Sequence, residues 1–229
     1  MGIVTSVAGM IGLALALIAQ APQASSRAMA PLEQYLMADR QEEIALARSA
    51  APASISGNAD VLVLSRHGFE LVAKGTNGFA CLVQRGWSAP LGDPDFWNPH
   101  LRSPICFNPP AARSYMPQTL KRTDLILAGK SEEEMFANLG SAADRGELPK
   151  LEHGAMGYMM SKDQFLSEAG GHYLPHLMIF TQLIDPAAWG AGLAGAPLVG
   201  VTEQQCHISV FIVPVGHWSD GTAVSEHRH

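Results

Sequence analysis

Along residues 32–85 the sequence changes from a helical apolar pattern to short runs rich in β-branched and aromatic residues. In residues 32–48 apolar side chains recur every three to four positions among charged ones, and Pro52 follows. This spacing predicts an amphipathic helix that has ended by Pro52. The β-rich runs at 61–65, 69–74 and 79–85 are separated by glycine-containing turns. They predict a three-stranded antiparallel meander.

Residues 86–117 lack a repeating apolar pattern and are rich in proline, which predicts an irregular segment. Long irregular segments inside compact domains are usually functional or disordered, and aromatic residues favour a segment that packs against the domain. We therefore predict that this segment forms the wall of a pocket. The predicted ligand-binding side chains are its aromatic residues, Trp87, Phe96, Trp97 and Phe107.

The second half of the chain predicts two helices and three more strands. The helices are expected at 118–128 and 131–146, and Ser131 with Glu134 has the spacing of a capping box. The strand candidates are 155–160, 176–183 and 208–215, with a Gly/Ala-rich connection at 187–199. This order of elements predicts the α+β class. We expect a single domain whose antiparallel sheet has about five to six strands, with the helices packed on one side.

The first 26 residues have the composition of a leader. None of them carries a charged side chain, and residues 11–18 form a short apolar centre that small residues follow. This predicts a bacterial signal peptide at 1–26 and a periplasmic or secreted protein. The mature domain is then 27–222, with a polar tail at 223–229. The alternative is an uncleaved anchor, the one case in which we expect contact with a membrane.

The balance of charges narrows the range of partners. The chain has 15 Lys and Arg against 21 Asp and Glu, a formal net charge of −6, and the basic residues do not cluster. Nucleic-acid binding draws its affinity from clustered Lys and Arg. We therefore expect no nucleic-acid partner.

Three cysteines lie in the predicted mature region, and an oxidising compartment would permit one disulfide among them. Cys81 with Cys106 is the preferred pair, because the two lie around a proline-rich excursion whose closure a bridge would stabilise. Cys206 would then remain a thiol. The alternative is three buried, inert thiols.

Histidines concentrate in the C-terminal half, and imidazole clusters bind divalent transition metals. The predicted metal ligands are His172 and His176 with one or more of His153, His207 and Glu152. In an extended chain the first two imidazoles would stand roughly 13 Å apart, so the site needs a turn between them. The alternative is a set of hydrogen-bonded, partly exposed histidines at strand ends.

A resemblance is carried by five segments that span most of the mature chain. They are KGTNGF at 74–79, FWNP at 96–99, ICFNPP at 105–110, YMMSK at 158–162 and VPVGHWSDG at 213–221. These segments resemble those of uncharacterised exported bacterial proteins. The resemblance implies a single domain and brings no activity with it.

Two functions of different classes remain. The first is a noncatalytic module that binds a small molecule or a protein partner at the aromatic, proline-rich segment beside the predicted sheet. The alternative is a metal-dependent enzyme, such as a hydrolase, whose site is built around His172 and His176.

Overall fold

A computed structural model of the chain describes residue 2 and residues 28–171 and 173–225. The predicted signal peptide (Gly2 aside), the predicted metal ligand His172 and the last four residues of the predicted tail lie outside the described residues. No helix formed by the described residues is long and apolar enough to cross a membrane.

The described residues form one eight-stranded sheet and five α-helices. The strands are β1 Asp60–Ser65, β2 Gly68–Ala73, β3 Ala80–Gln84, β4 Ser103–Phe107, β5 Met156–Met159, β6 His176–Gln182, β7 Val199–Glu203 and β8 Ile208–Pro214. The helices are α1 Arg40–Arg48, α2 Ala53–Ser56, α3 Pro109–Ser114, α4 Met116–Leu127 and α5 Glu132–Asp144. The spatial strand order is β2-β1-β3-β4-β5-β6-β8-β7. The prediction of mixed α and β structure around one sheet is confirmed.

The sheet has more strands than the five to six predicted. β4 forms inside the segment expected to be irregular, and β7 forms at the end of the Gly/Ala-rich connection. β4 contains Pro104, at a point where the strand pairs with β3 but not with β5, whose pairing begins at Cys106. A proline is tolerated where one side of a strand is unpaired.

The sheet is mixed, so the prediction of a purely antiparallel sheet with an N-terminal meander is wrong. β1 lies between β2 and β3 and runs parallel to β3. After β2 the chain crosses back over the start of β1, where the Asp60 carboxylate accepts from the Gly75 amide at 2.7 Å. The Asn58 carbonyl accepts from the Thr76 amide at 2.9 Å. These contacts return the chain to the end of the sheet where β1 began.

Helices cover both faces of the sheet, and the prediction that they pack on one side is wrong. On one face α1 packs against β1, β3 and β4, around a small apolar cluster that contains Ala47, Val61 and Val83. The other face carries the larger core, with α3, α4 and α5. Because successive strand residues point to opposite faces, each of these strands contributes to both clusters.

Local predictions were confirmed at two places. Cys81 and Cys106 form a disulfide between directly paired residues of β3 and β4, while Cys206 is a buried thiol. Ser131 caps α5 by accepting from the Glu134 amide, and the Glu134 carboxylate accepts from the Ser131 amide. The predicted helix at 32–48 is shorter than expected, because Asp39 caps α1 and residues before it form only a 3-10 turn at Leu32–Gln34.

Candidate functional site

Three of the four predicted ligand-binding aromatic residues are core side chains. Trp87 and Phe96 are each 1 % exposed and Phe107 is fully buried. The indole of Trp87 donates to the Thr123 hydroxyl at 3.0 Å, so its polar atom is also satisfied inside the core. Only Trp97, which is half-buried, lines cavities.

The proline-rich segment forms part of the wall of a cleft. The residues that line this cleft are not the predicted ligand-binding side chains Trp87, Phe96, Trp97 and Phe107. The lining of this cleft includes Ser88 and Pro90 from this segment together with residues of β7 and β8. The cleft has a volume of about 120 Å³. We name it the Glu203 cleft, and it is lined by Gln84, Ser88, Pro90, Ile105, Tyr115, Met178, Val201, Glu203, Val210 and Ile212.

A buried ion pair lies at the inner end of the Glu203 cleft. The Arg122 guanidinium donates to a carboxylate oxygen of Glu203 at 2.5 Å, and the two side chains are 3 % and 7 % exposed. The same oxygen accepts from the Gln118 amide at 3.1 Å. Arg122 also donates to the Ser88 carbonyl at 3.2 Å and lies over the Phe136 ring. The pair therefore ties α4 to both walls of the cleft.

The sequence positions the Arg122 guanidinium and the Glu203 carboxylate through two different periodicities, that of a helix and that of a strand. Gln118 and Arg122 are one helical turn apart and lie on the buried side of α4. Glu203 follows Val199 and Val201 on the same face of β7, because side chains alternate along a strand. Along this face of the edge strand, Val199 is 52 % exposed, whereas Val201 lines the cleft and Glu203 reaches α4.

Two further polar side chains line the Glu203 cleft without a hydrogen-bond partner among the described residues. Gln84 is 8 % exposed and Tyr115 is 6 % exposed, so both are more than nine-tenths buried. Burial, and then the negative charge of Glu203, raise the pKa of Tyr115 well above its usual range. Its hydroxyl therefore keeps its proton at neutral pH and can donate to a ligand.

The thiol of Cys206 lies close enough to the same ion pair to interact electrostatically with Arg122 and Glu203. Burial raises its pKa to about 11, although the nearby Arg122 acts in the opposite direction. A thiol with this pKa is almost fully protonated at neutral pH, and the thiolate is the reactive form. Cys206 is therefore an inert part of the site.

A larger groove of about 580 Å³ lies beside Trp97, between residues 92–94 and the first turn of α5. Its carboxylates already have partners. Glu132 accepts from the Gly92 amide at 2.6 Å, and Glu134 takes part in the capping box and pairs with Lys130. The smaller Glu203 cleft is the better candidate, because its buried polar groups still lack partners.

The sheet register separates the predicted metal ligands. His176 begins β6 and is directly paired with Pro214, whereas the other end of this strand pair is Gln182 with Ile208. His207, which immediately precedes Ile208, is therefore about 20 Å from His176 along the strands. His153 lies just before β5, toward the same end as His207, since the Ala155 carbonyl accepts from the Phe180 amide.

The predicted metal ligands that lie among the described residues each have a separate local environment. His176 is 7 % exposed, with its Nδ1 atom 2.8 Å from the Leu174 carbonyl, and burial lowers its pKa. His207 is exposed and lies 3.6 Å from Asp144. Glu152 pairs with Arg113, and His153 is exposed in a turn. No group of three or more metal-binding side chains occurs among the described residues. The metal hypothesis therefore depends on His172, which lies outside them.

Comparison of the chain with protein-family models, with curated proteins and with solved structures finds no match of any of the three kinds. The resemblance to exported bacterial proteins therefore stays a prediction, and the function has to be inferred from the geometry of the Glu203 cleft.

Proposed function

We propose that this chain is an exported, noncatalytic module that binds a small molecule in the Glu203 cleft. The observation that carries the proposal is the pair of buried, unpartnered polar side chains, Gln84 and Tyr115, in a cavity with apolar walls. Because the polar atoms of these two side chains reach the cleft, a ligand can bind them without displacing a hydrogen-bond partner within the fold. Ligand pockets typically combine apolar walls with a few such polar groups.

The chemistry of the polar groups favours binding over catalysis. Arg122 neutralises Glu203, and burial keeps both the Tyr115 hydroxyl and the Cys206 thiol protonated at neutral pH. A general base or nucleophile needs a pKa near the working pH. The groups at the cleft are therefore suited to holding a molecule by hydrogen bonds.

Export is supported by the disulfide between β3 and β4. Disulfides form and persist in oxidising compartments such as the bacterial periplasm and are rare in the cytosol. The bridge is buried, and it is consistent with a protein that matures outside the cytoplasm.

The test is a ligand-detected NMR screen of the full chain against a library of small polar molecules. Compounds that occupy the cleft should bind the wild type and lose binding in the double variant Gln84→Leu/Tyr115→Phe. The matched control is Gln34→Leu/Tyr158→Phe, which makes the same chemical changes away from the cleft and should bind like the wild type. The proposal is wrong if no compound binds, or if the hits bind the cleft variant as well as they bind the control.

A further inference from the structure

We infer that the ligand of the Glu203 cleft is uncharged, with an amide-like head group on a short branched aliphatic body. This inference rests on the proposed function and adds the chemical class of the ligand. Charge, hydrogen-bonding capacity and volume each limit the class.

The charge of the site argues for a neutral ligand. Glu203 and Arg122 are 2.5 Å apart and compensate each other, and the other polar side chains of the cleft are uncharged. A ligand charge of either sign would lose its hydration without gaining an uncompensated counter-charge, which is costly in a buried site. A cation would approach Arg122, and an anion would approach Glu203.

The polar groups call for both a donor and an acceptor on the ligand. The carboxylate of Glu203 has one oxygen that accepts from Arg122 and Gln118, while its other oxygen has no hydrogen-bond partner among the described residues. That oxygen can only accept, the Tyr115 hydroxyl can donate, and the Gln84 amide can do both. A primary amide, with two N–H groups and one carbonyl, complements all three.

The walls and the volume define the rest of the molecule. Five of the lining side chains are aliphatic or thioether groups, Ile105, Met178, Val201, Val210 and Ile212. The cavity of about 120 Å³ is small and limits the ligand to a few non-hydrogen atoms. A head group on a branched three-carbon body meets both limits.

Three isosteric probes test the class: isobutyramide, the isobutyrate anion and the isobutyramidinium cation. They share one aliphatic body and one planar head group and differ in charge at pH 7. We expect isobutyramide to shift the methyl resonances of Val201 and Ile212 with a Kd on the order of 1 mM, as suits so small a ligand. Both charged probes should bind at least about tenfold more weakly. The variant Gln84→Leu/Tyr115→Phe should weaken isobutyramide at least about tenfold, and Gln34→Leu/Tyr158→Phe should not.

The outcomes separate this inference from the proposed function. Equal or tighter binding of a charged probe at the same methyl groups overturns the neutral class and leaves a ligand-binding cleft. Binding of isobutyramide that the cleft variant does not weaken overturns the assignment of its head group to Gln84 and Tyr115. If none of the three probes moves the Val201 and Ile212 methyl resonances, the inference fails, and the library screen alone decides whether the proposed function stands.

Discussion

Two buried ion pairs lie on opposite faces of the sheet, and they differ in whether the polar side chains around them have hydrogen-bond partners. Glu43 of α1 pairs with Arg85 at 2.8 Å, with 2 % and 0 % of the side chains exposed. Arg85 also donates to the carbonyls of Tyr35 and Val83, and Glu43 accepts from the Leu64 amide. Each of the three guanidinium nitrogens therefore has a partner within the fold.

The Arg122–Glu203 pair uses the same two residue types, and in both pairs one carboxylate oxygen accepts all the hydrogen bonds. What differs is the surroundings, because the Tyr115 hydroxyl and the Gln84 amide beside Glu203 have no hydrogen-bond partner among the described residues. The two environments are adjacent in the chain, since Gln84 lines the cleft and Arg85 enters the satisfied pair. A pair whose guanidinium is fully bonded within the fold fixes the position of a helix, whereas a pair beside a cavity with partnerless polar groups can accept a further molecule.

The largest expected effect is the loss of stability when each pair is broken by the same change. Glu43→Gln leaves the Arg85 charge unbalanced although that side chain is fully buried, and should lower the free energy of unfolding by about 3–5 kcal/mol. Glu203→Gln should cost only about 1–2 kcal/mol, because the side chain at position 203 lines the cleft, where water can compensate for part of the lost ion pair. Urea unfolding of the two variants measures the difference.

The control for this pair of variants is Glu70→Gln, which removes an exposed ion pair with Arg40. Exposed pairs contribute at most about 1 kcal/mol. Equal losses for Glu43→Gln and Glu203→Gln would remove the distinction between the two pairs.

The next largest expected effect is a slow reaction of the Cys206 thiol. This measurement tests the environment of the Arg122–Glu203 pair alone. With its pKa raised to about 11, Cys206 at pH 8 should react with a disulfide reagent at least about tenfold more slowly than an exposed thiol. This figure allows for the greater nucleophilicity of the rarer thiolate. The measurement is the rate at which the disulfide reagent releases its thiol product on reaction with the native protein. This rate is compared with the rate for the unfolded protein in urea. A native rate equal to the unfolded one would show that the thiol is neither buried nor held protonated.

The smallest expected effect is a difference in stability between two tyrosine variants, one from each environment. The Tyr35 hydroxyl donates to the Trp97 carbonyl at 2.8 Å and accepts from the Ala30 amide at 3.2 Å. Tyr35→Phe should therefore cost about 1 kcal/mol, while Tyr115→Phe should change the stability by less than about 0.5 kcal/mol. Thermal or urea unfolding measures both. A larger loss for Tyr115→Phe would mean that its hydroxyl already has a partner in the ligand-free protein.

Local sequence patterns predicted the local features of this fold well. The spacing of Ser131 and Glu134 identified the start of α5, and the position of Cys81 and Cys106 around a proline-rich segment identified the bridge. Both features depend on a few neighbouring residues or on two ends of one excursion. The sequence patterns did not predict β4 and β7. Each of these strands contains a residue that usually weakens a strand, Pro104 in β4 and Gly200 in β7.

Gly200 illustrates why β7 could not be read from propensity alone. A Cβ atom at this position would lie 2.5 Å from the Cβ of Pro186, so the packing of the preceding loop requires a glycine inside the strand. That contact exists only once the loop has folded against the sheet. Sequence propensity carries no information about it.

The candidate site was harder to predict because its members come from distant segments. Tyr115, Gln118 and Arg122 do follow helical spacing, and three polar residues on one side of a helix were a usable signal. Gln84 and Glu203 join them only through the strand order, which places β7 at the edge and returns β3 to the centre of the sheet. The aromatic residues predicted instead were the more buried ones, because large apolar side chains favour the core.

The buried disulfide also constrains the order in which the chain folds. Cys81 and Cys106 are fully buried in the cluster that α1 covers. Thiol–disulfide exchange requires that an oxidant or an oxidoreductase reach the sulfur atoms. The bond therefore has to close before α1 docks over the two sulfur atoms. Once α1 is seated, the same helix shields the bridge from reductants, so reduction has to wait for an opening of the helix.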